Sequence, residues 1–226
     1  MDNSTASHSA LAERVRAVRE ASSAEALLMA TRALAATDQG AAAEAGAIGC
    51  LVEVLGFNNP GAAVAAVDGL IRLGPAAVEP LLSNLDPRNY GARAWAVRAL
   101  AGIGDVRGLE LLEEALANDV GPSVRRAAAC GLGRLRLAEL ADRERGSVRE
   151  RALSGLLAGC ADGEWVVRYA VAVGLESLAQ GMGPDPPQRS RLVEGLELLG
   201  DPLVEKTGVV QLRARLALRR LLEELA

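Results

Sequence analysis

The sequence predicts an all-α solenoid of about five to six antiparallel helix pairs, and three observations predict it. A phrase of small, arginine and aliphatic residues runs Asn89-Tyr90-Gly91-Ala92-Arg93-Ala94-Trp95-Ala96-Val97-Arg98-Ala99-Leu100-Ala101-Gly102-Ile103-Gly104-Asp105. It returns from Val124 to Leu135 and, more loosely, from Val167 to Leu178. Self-similarity at this scale is the mark of stacked helix pairs, each burying its apolar face on the next. Repeat-equivalent Leu70, Leu100, Leu132 and Leu175 stand 30, 32 and 43 residues apart. Finally, the 226-residue chain is 50% hydrophobic yet has just five aromatic residues, Phe57, Tyr90, Trp95, Trp165 and Tyr169. Its core must be built from Ala, Leu and Val, which suits close helix packing better than sheets.

The elements follow in order. Residues 1–9 read as a disordered polar tail, and 10–226 as one solenoid domain. Helical periodicity covers 10–19 and, after the Ser22-Ser23 cap signal, 24–36. Further helices are expected over 41–55, 61–73, 75–85, 90–103, 109–118 and 123–137. Gly74-Pro75, Asp86-Pro87, Gly104-Asp105 and Gly121-Pro122 separate them, with Gly where a helix stops and Pro near the next first turn. The wide leucine gap holds a charged insertion, Ala141 to Gly146. The irregular segment Gly181 to Pro187 precedes a final pair, whose last helix spans about 209–225. Within the repeats, Ala92, Ala96, Ala99, Leu100 and Ile103 share one stripe, as do Val124, Ala128, Gly131, Leu132 and Leu135. Val167, Val171, Gly174, Leu175 and Leu178 form the third. The architecture is of HEAT type.

Composition closes several functions. A net charge of −4 argues against nucleic acid, which calls for a basic stripe. His8 is the only histidine, so no His-based triad or metal cluster can assemble, and no metal site is expected. Cys50, Cys130 and Cys160 lie singly within helices and read as free thiols of a reducing compartment. The apolar stretches are short and interrupted, and the N-terminus lacks a signal-like core, so a cytoplasmic protein without a membrane span is expected.

What remains is a face. Tyr90, Arg93 and Val97 fall on one flank of their helix, and superposing the repeats places Tyr90 in one column with Trp165. Arg93, Arg125 and Arg168 share the next column, with Tyr169 one turn beyond Trp165. Aromatic planes beside guanidiniums suit a flat, conjugated, carboxylate-bearing ligand. The same arginine column has a structural reading, as a ladder bonded to turn aspartates Asp86, Asp119 and Asp162. Trp95 projects to the other flank and reads as packing.

The Asn89-to-Asp105 phrase, followed by Ser123-Val124-Arg125-Arg126-Ala127-Ala128-Ala129 and Gly131-Leu132-Gly133, resembles the F-type subunits of heterodimeric phycobilin lyases. The resemblance is dense from about Leu73 to Leu137. It implies a partner, an E-type HEAT lyase subunit, and a joint activity: attaching an open-chain tetrapyrrole to a cysteine of a phycobiliprotein acceptor. The acceptor thiol would add across the bilin ethylidene group, with phycobilin a transferred substrate and no tightly bound cofactor. Residue by residue, Tyr90, Arg93, Trp95, Arg98 and Asp105 match the family phrase. The resemblance makes Arg93 a candidate partner of a propionate, Tyr90 a stacking platform, and Asp105 a counter-charge for a protonated pyrrole nitrogen. An aspartate after Ile-Gly is equally a helix N-cap. Trp165, Arg168 and Tyr169 extend the bilin-binding set through the repeat. Some relatives also isomerise the bilin and carry a His-Cys dipeptide, which no cysteine here forms.

Overall fold

The structure is a computed structural model that describes residues 3–37, 46–83, 89–180, 182 and 187–223. It divides into two compact units, Met1–Ile103 and Gly104–Ala226, where the sequence reads as one domain. Helix pairs in a solenoid touch their immediate neighbours alone, so such a chain can partition between any two repeats. Here the division falls at Gly104, whose φ of 70° ends the preceding helix in the left-handed region that glycine adopts without strain.

The first unit contains α1 (Asn3–Arg19), α2 (Ala24–Ala35), α3 (Ala47–Val54), α4 (Pro60–Leu73), α5 (Val78–Ser83) and α6 (Tyr90–Ile103). Helix α1 begins inside the segment expected to be a disordered tail, which corrects that expectation. The helix expected over 41–55 is described from Ala47; residues 41–45, and Asp86 of the proposed ladder, lie outside the described residues. Gly74–Ala77 forms a 3₁₀ turn before α5, because Pro75 has no amide hydrogen to donate.

Second helices of successive pairs stack in the order α2, α4, α6. Asparagine caps set their register. The Asn59 carboxamide accepts from the Ala62 amide at 3.0 Å and donates to the Ala24 carbonyl at 2.9 Å. Thirty residues on, Asn89 accepts from Ala92 at 3.0 Å and donates to Gly56 at 3.4 Å. One side chain thus starts a helix and ties it to the preceding repeat; such a cap contributes about 1 kcal/mol. Leu51, Leu70, Leu81 and Leu100 are fully buried between the layers, each worth roughly 1.5–3 kcal/mol of transfer. One stretch, Pro60–Ser83, is long and apolar enough by composition to cross a membrane; 61% of its apolar 18-residue window is buried within the protein, and the 3₁₀ turn interrupts the stretch.

The second unit contains α7 (Leu109–Asn118), α8 (Pro122–Gly133), α9 (Asp142–Gly159), α10 (Trp165–Ala179), α11 (Pro187–Gly200) and α12 (Gly208–Glu223). Again the second helices α8, α10 and α12 pack in sequence. A Cβ on Gly133 would lie 2.3 Å from the Gly174 carbonyl oxygen, so α8 and α10 meet backbone to backbone. Helix α8 stops at Gly133 instead of continuing to 137: the chain turns so that the Arg136 amide reaches the Gly104 carbonyl at 2.8 Å. The charged run over 141–146 is no insertion loop. It is the solvated start of α9, with Asp142 and Glu144 favourably placed in the first turn.

Candidate functional site

The stacked second helices leave one stripe uncovered in each unit. On α4 it comprises Gly61, Val64, Asp68 and Arg72; on α6, Gly91, half-buried Ala94, Arg98 and Gly102. On α8 it runs through Ser123, Arg126, half-buried Cys130 and Arg134, and on α10 through half-buried Val166, Tyr169, Val173 and Ser177. Of the residues picked from sequence, Arg98 and Tyr169 stand on this stripe. Tyr90 is 48% exposed at the start of α6 and Trp165 46% exposed at the start of α10. Val97, assigned to the same flank as Tyr90 and Arg93, is fully buried, and that assignment is corrected. The i to i+7 spacing rotates it about 20° toward the core, and the stacked helices close over it.

Trp95 is half-buried, and the Arg98 guanidinium lies 5.7 Å from its ring centroid, a cation–π contact. With Asn89, Gly91 and the Leu55–Pro60 turn, Trp95 lines a groove of about 240 Å³. Tyr90, Arg93, Trp95 and Arg98 therefore belong to the first unit; Asp105, Trp165, Arg168 and Tyr169 belong to the second.

The arginine column is a ladder in the second unit. Arg125 forks onto Asp162 at 2.7 and 2.9 Å and also donates to the Asp119 carbonyl at 2.9 Å. Arg168 repeats the geometry one pair later, to Glu205 at 2.5 and 2.9 Å and to the Asp162 carbonyl at 2.7 Å. Each arginine thus takes a turn carbonyl of its own repeat and a carboxylate of the next. Arg168, read from sequence as a pigment contact, thus has its nitrogens bonded within the fold. Glu205 escaped the sequence reading because the longer turn before α12 places its ladder carboxylate on a glutamate four residues beyond the turn's aspartate, Asp201. Bidentate bonding from Arg168 draws its carboxyl down to about 2. Arg93 occupies the repeat-equivalent position and is half-buried.

Asp105 acts as a cap. Its carboxylate accepts from the Arg107 amide at 3.0 Å and forks with the Arg107 guanidinium at 2.9 and 2.8 Å. The Arg107 side chain holds it below the usual carboxylate range, so it stays ionised and cannot serve as a proton donor near neutral pH. The cysteines are inert. Cys50 and Cys160 are buried, Cys130 is half-buried, and burial raises all three thiols, Cys160 to about 12. No group of three potential metal ligands occurs among the described residues.

A pocket that sequence reasoning missed has a volume near 580 Å³ and lies in the second unit, where α8 ends and α9 begins. Its walls carry Arg134, Arg136, Arg145 and Arg149 over an apolar floor that includes Leu135 and Leu178. The 43-residue leucine gap was its signal in the sequence: extra chain at that point builds the pocket.

These features define a class: a HEAT-repeat solenoid that presents a face and carries no nucleophile–base pair of its own among the described residues. The profile of HEAT repeats matches residues 51–133 and 78–176. Phycocyanin alpha phycocyanobilin lyase CpcF of Synechocystis sp. is 54% identical over 166 residues, 74% of this chain and 75% of the relative. A phycobilisome maturation protein of Synechococcus elongatus is 49% identical over 211 residues, 92% of this chain and 97% of its own. Among solved structures, a chain of the CpcE–CpcF complex of phycocyanin lyase from Nostoc sp. aligns with a TM-score of 0.68 and 41% identity, covering 77% of this chain and 99% of that one. The chain belongs to the F-type phycobilin lyase subunit family.

Proposed function

We propose that this chain is one subunit of a heterodimeric bilin lyase. With an E-type HEAT partner it attaches an open-chain tetrapyrrole, phycocyanobilin, to a cysteine of the phycocyanin alpha subunit. The observation that carries this is the joint match in sequence and fold to the CpcF relative and to the CpcE–CpcF complex, which spans three quarters of the chain.

The chemistry asks little of the lyase beyond geometry. The acceptor thiol adds across the exocyclic C=C of the ethylidene group: sulfur bonds to the exocyclic carbon and the thiol proton ends on the ring carbon. No group leaves and no oxidant is consumed. The subunit's work is to hold the bilin extended, present one face to the thiol and exclude side reactions. The half-exposed rings of Tyr90, Trp165 and Tyr169 and the Trp95–Arg98 pair are suited to stacking on a conjugated pigment. Raised thiols at Cys50, Cys130 and Cys160 leave the nucleophile to the acceptor.

Co-expression of this chain with an E-type partner, the bilin-synthesis enzymes and an acceptor subunit tests the reading. Covalent pigment on the acceptor, read by acid-urea absorbance and zinc-enhanced fluorescence, is the expected result. An acceptor that stays colourless while the partner complex forms would replace the reading with that of a non-catalytic adaptor in antenna assembly.

A further inference from the structure

The pocket between α8 and α9 concentrates positive charge in a chain whose net charge is −4. Its four arginines are unequally satisfied. Arg145 is a structural staple, donating to the Leu137 carbonyl at 3.1 Å and the Leu140 carbonyl at 2.8 Å, with exposed Asp142 at 3.2 Å. Arg136 stands 3.7 Å from Asp105, which Arg107 already occupies, and 3.5 Å from exposed Glu139; its Nε and Nη2 make no hydrogen bond. Neither Arg134 nor Arg149 has a carboxylate or carbonyl partner among the described residues, and Arg149 Nε is buried without a hydrogen bond.

For Arg136 and Arg149 this is costly for a fold alone, because a desolvated guanidinium nitrogen without an acceptor loses water and gains nothing; Arg134 is exposed and stands ready at the surface. The Arg149 environment disfavours the cation: burial lowers its pKa first, and neighbouring Arg145 lowers it further. An anion in the pocket would oppose both effects by attraction and hydrogen bonding. The volume, near 580 Å³, lies in the range that receives a drug-sized ligand, and the leucine floor supplies the apolar surface that such sites use. Arg134 and Ser177, at the ends of the uncovered stripes of α8 and α10, both line the pocket.

We infer that this pocket is a dicarboxylate site, in which Arg134 and Arg149 take the two propionates of the open-chain tetrapyrrole while Leu135 and Leu178 support its apolar edge. Two uncompensated guanidiniums meet two carboxylates, and the conjugated body extends along the stripe that bears Tyr169. The inference rests on the bilin-lyase reading for the identity of the ligand, and on the pocket's charge for its chemistry. A dicarboxylate on an apolar body is favoured over a phosphate because the arginines stand over an apolar floor that a phosphate would leave unused.

Fluorescence-quenching titrations of the full chain with biliverdin and with biliverdin dimethyl ester test it. The diacid should bind at least tenfold more tightly than the ester. Arg134→Gln with Arg149→Gln should erase that preference, while Arg126→Gln, on the same stripe but outside the pocket, should keep it. Far-ultraviolet circular dichroism confirms that each variant is folded. Equal binding of diacid and ester by the wild-type chain would overturn the inference, as would a double variant that retains the preference. So would a double variant whose sole defect is weaker association with the E-type partner, since the pocket would then hold an acidic protein segment. Acceptor colouring in the co-expression assay is scored separately. A double variant with unchanged pigment affinity that still colours the acceptor removes this site and leaves the lyase reading intact.

Discussion

Replacing Glu205 by Gln removes one charge from the ladder and keeps its shape. Arg168 would lose its bidentate ionic partner and keep the Asp162 carbonyl. The Glu205 side chain is 2% exposed, so solvent does little to screen the pair. Its carboxyl moves from an ordinary 4.5 to about 2 on folding. Through linkage this corresponds to a contribution on the order of 3 kcal/mol at neutral pH. The folded value is depressed, so the contribution is present above the unfolded value and is lost as pH falls through the folded one. The window is therefore about pH 5 to 2, and at pH 3 roughly 1–1.5 kcal/mol should remain. The assay is urea denaturation of wild type and variant at pH 7, 5 and 3, followed by circular dichroism. The stability difference should be about 2–4 kcal/mol at pH 7, in keeping with the breaking of a buried pair, and should narrow at pH 3. Other carboxylates titrate in both proteins and cancel in the difference. A difference that is negligible at pH 7, or constant down to pH 3, would refute the ladder as an electrostatic tie.

Gly133→Ala forces a Cβ to within 2.3 Å of the Gly174 carbonyl and should destabilise by about 1–3 kcal/mol despite a better helix residue. Gly146→Ala meets no atom within 4 Å and should stabilise by about 0.5–1 kcal/mol; thermal melts of the two variants should move in opposite directions. Tyr90→Ala and Trp165→Ala, at half-exposed helix starts, should each lower pigment transfer in the co-expression assay with melting temperatures within a few degrees of wild type. Loss of folding in either would return that ring to a packing role. Joint replacement of Cys50 and Cys160 by Ala and of Cys130 by Ser should leave transfer near wild type, because none of these raised thiols is the nucleophile; a colourless acceptor would contradict that.

The cores of Leu100, Leu132 and Leu175 were legible because a buried helix stripe repeats at a fixed interval, and hydrophobic periodicity is a local property. Breakers at Gly74-Pro75 and Gly121-Pro122 were legible for the same reason: their backbone constraints need no distant partner. The family phrase around Tyr90 gave the function, which no spacing or charge could have supplied. Residues with several possible partners were not legible. The bidentate partner of Arg168, Glu205, lies 37 residues away and could not be read from the repeat. Asp105 caps the turn by bonding Arg107, a pairing that its place in the phrase did not reveal. The start of α9 looked like an insertion because its charges mask a helix that has little apolar stripe in its first turns.

Sequence alone therefore determined that helices form, where they break and which face of each is apolar, since these depend on residues within a turn or two of one another. Tertiary structure alone decided which arginines are spent on the fold and which remain available. That outcome depends on where turns from separate repeats bring their carboxylates, a distance in space that chain order does not encode.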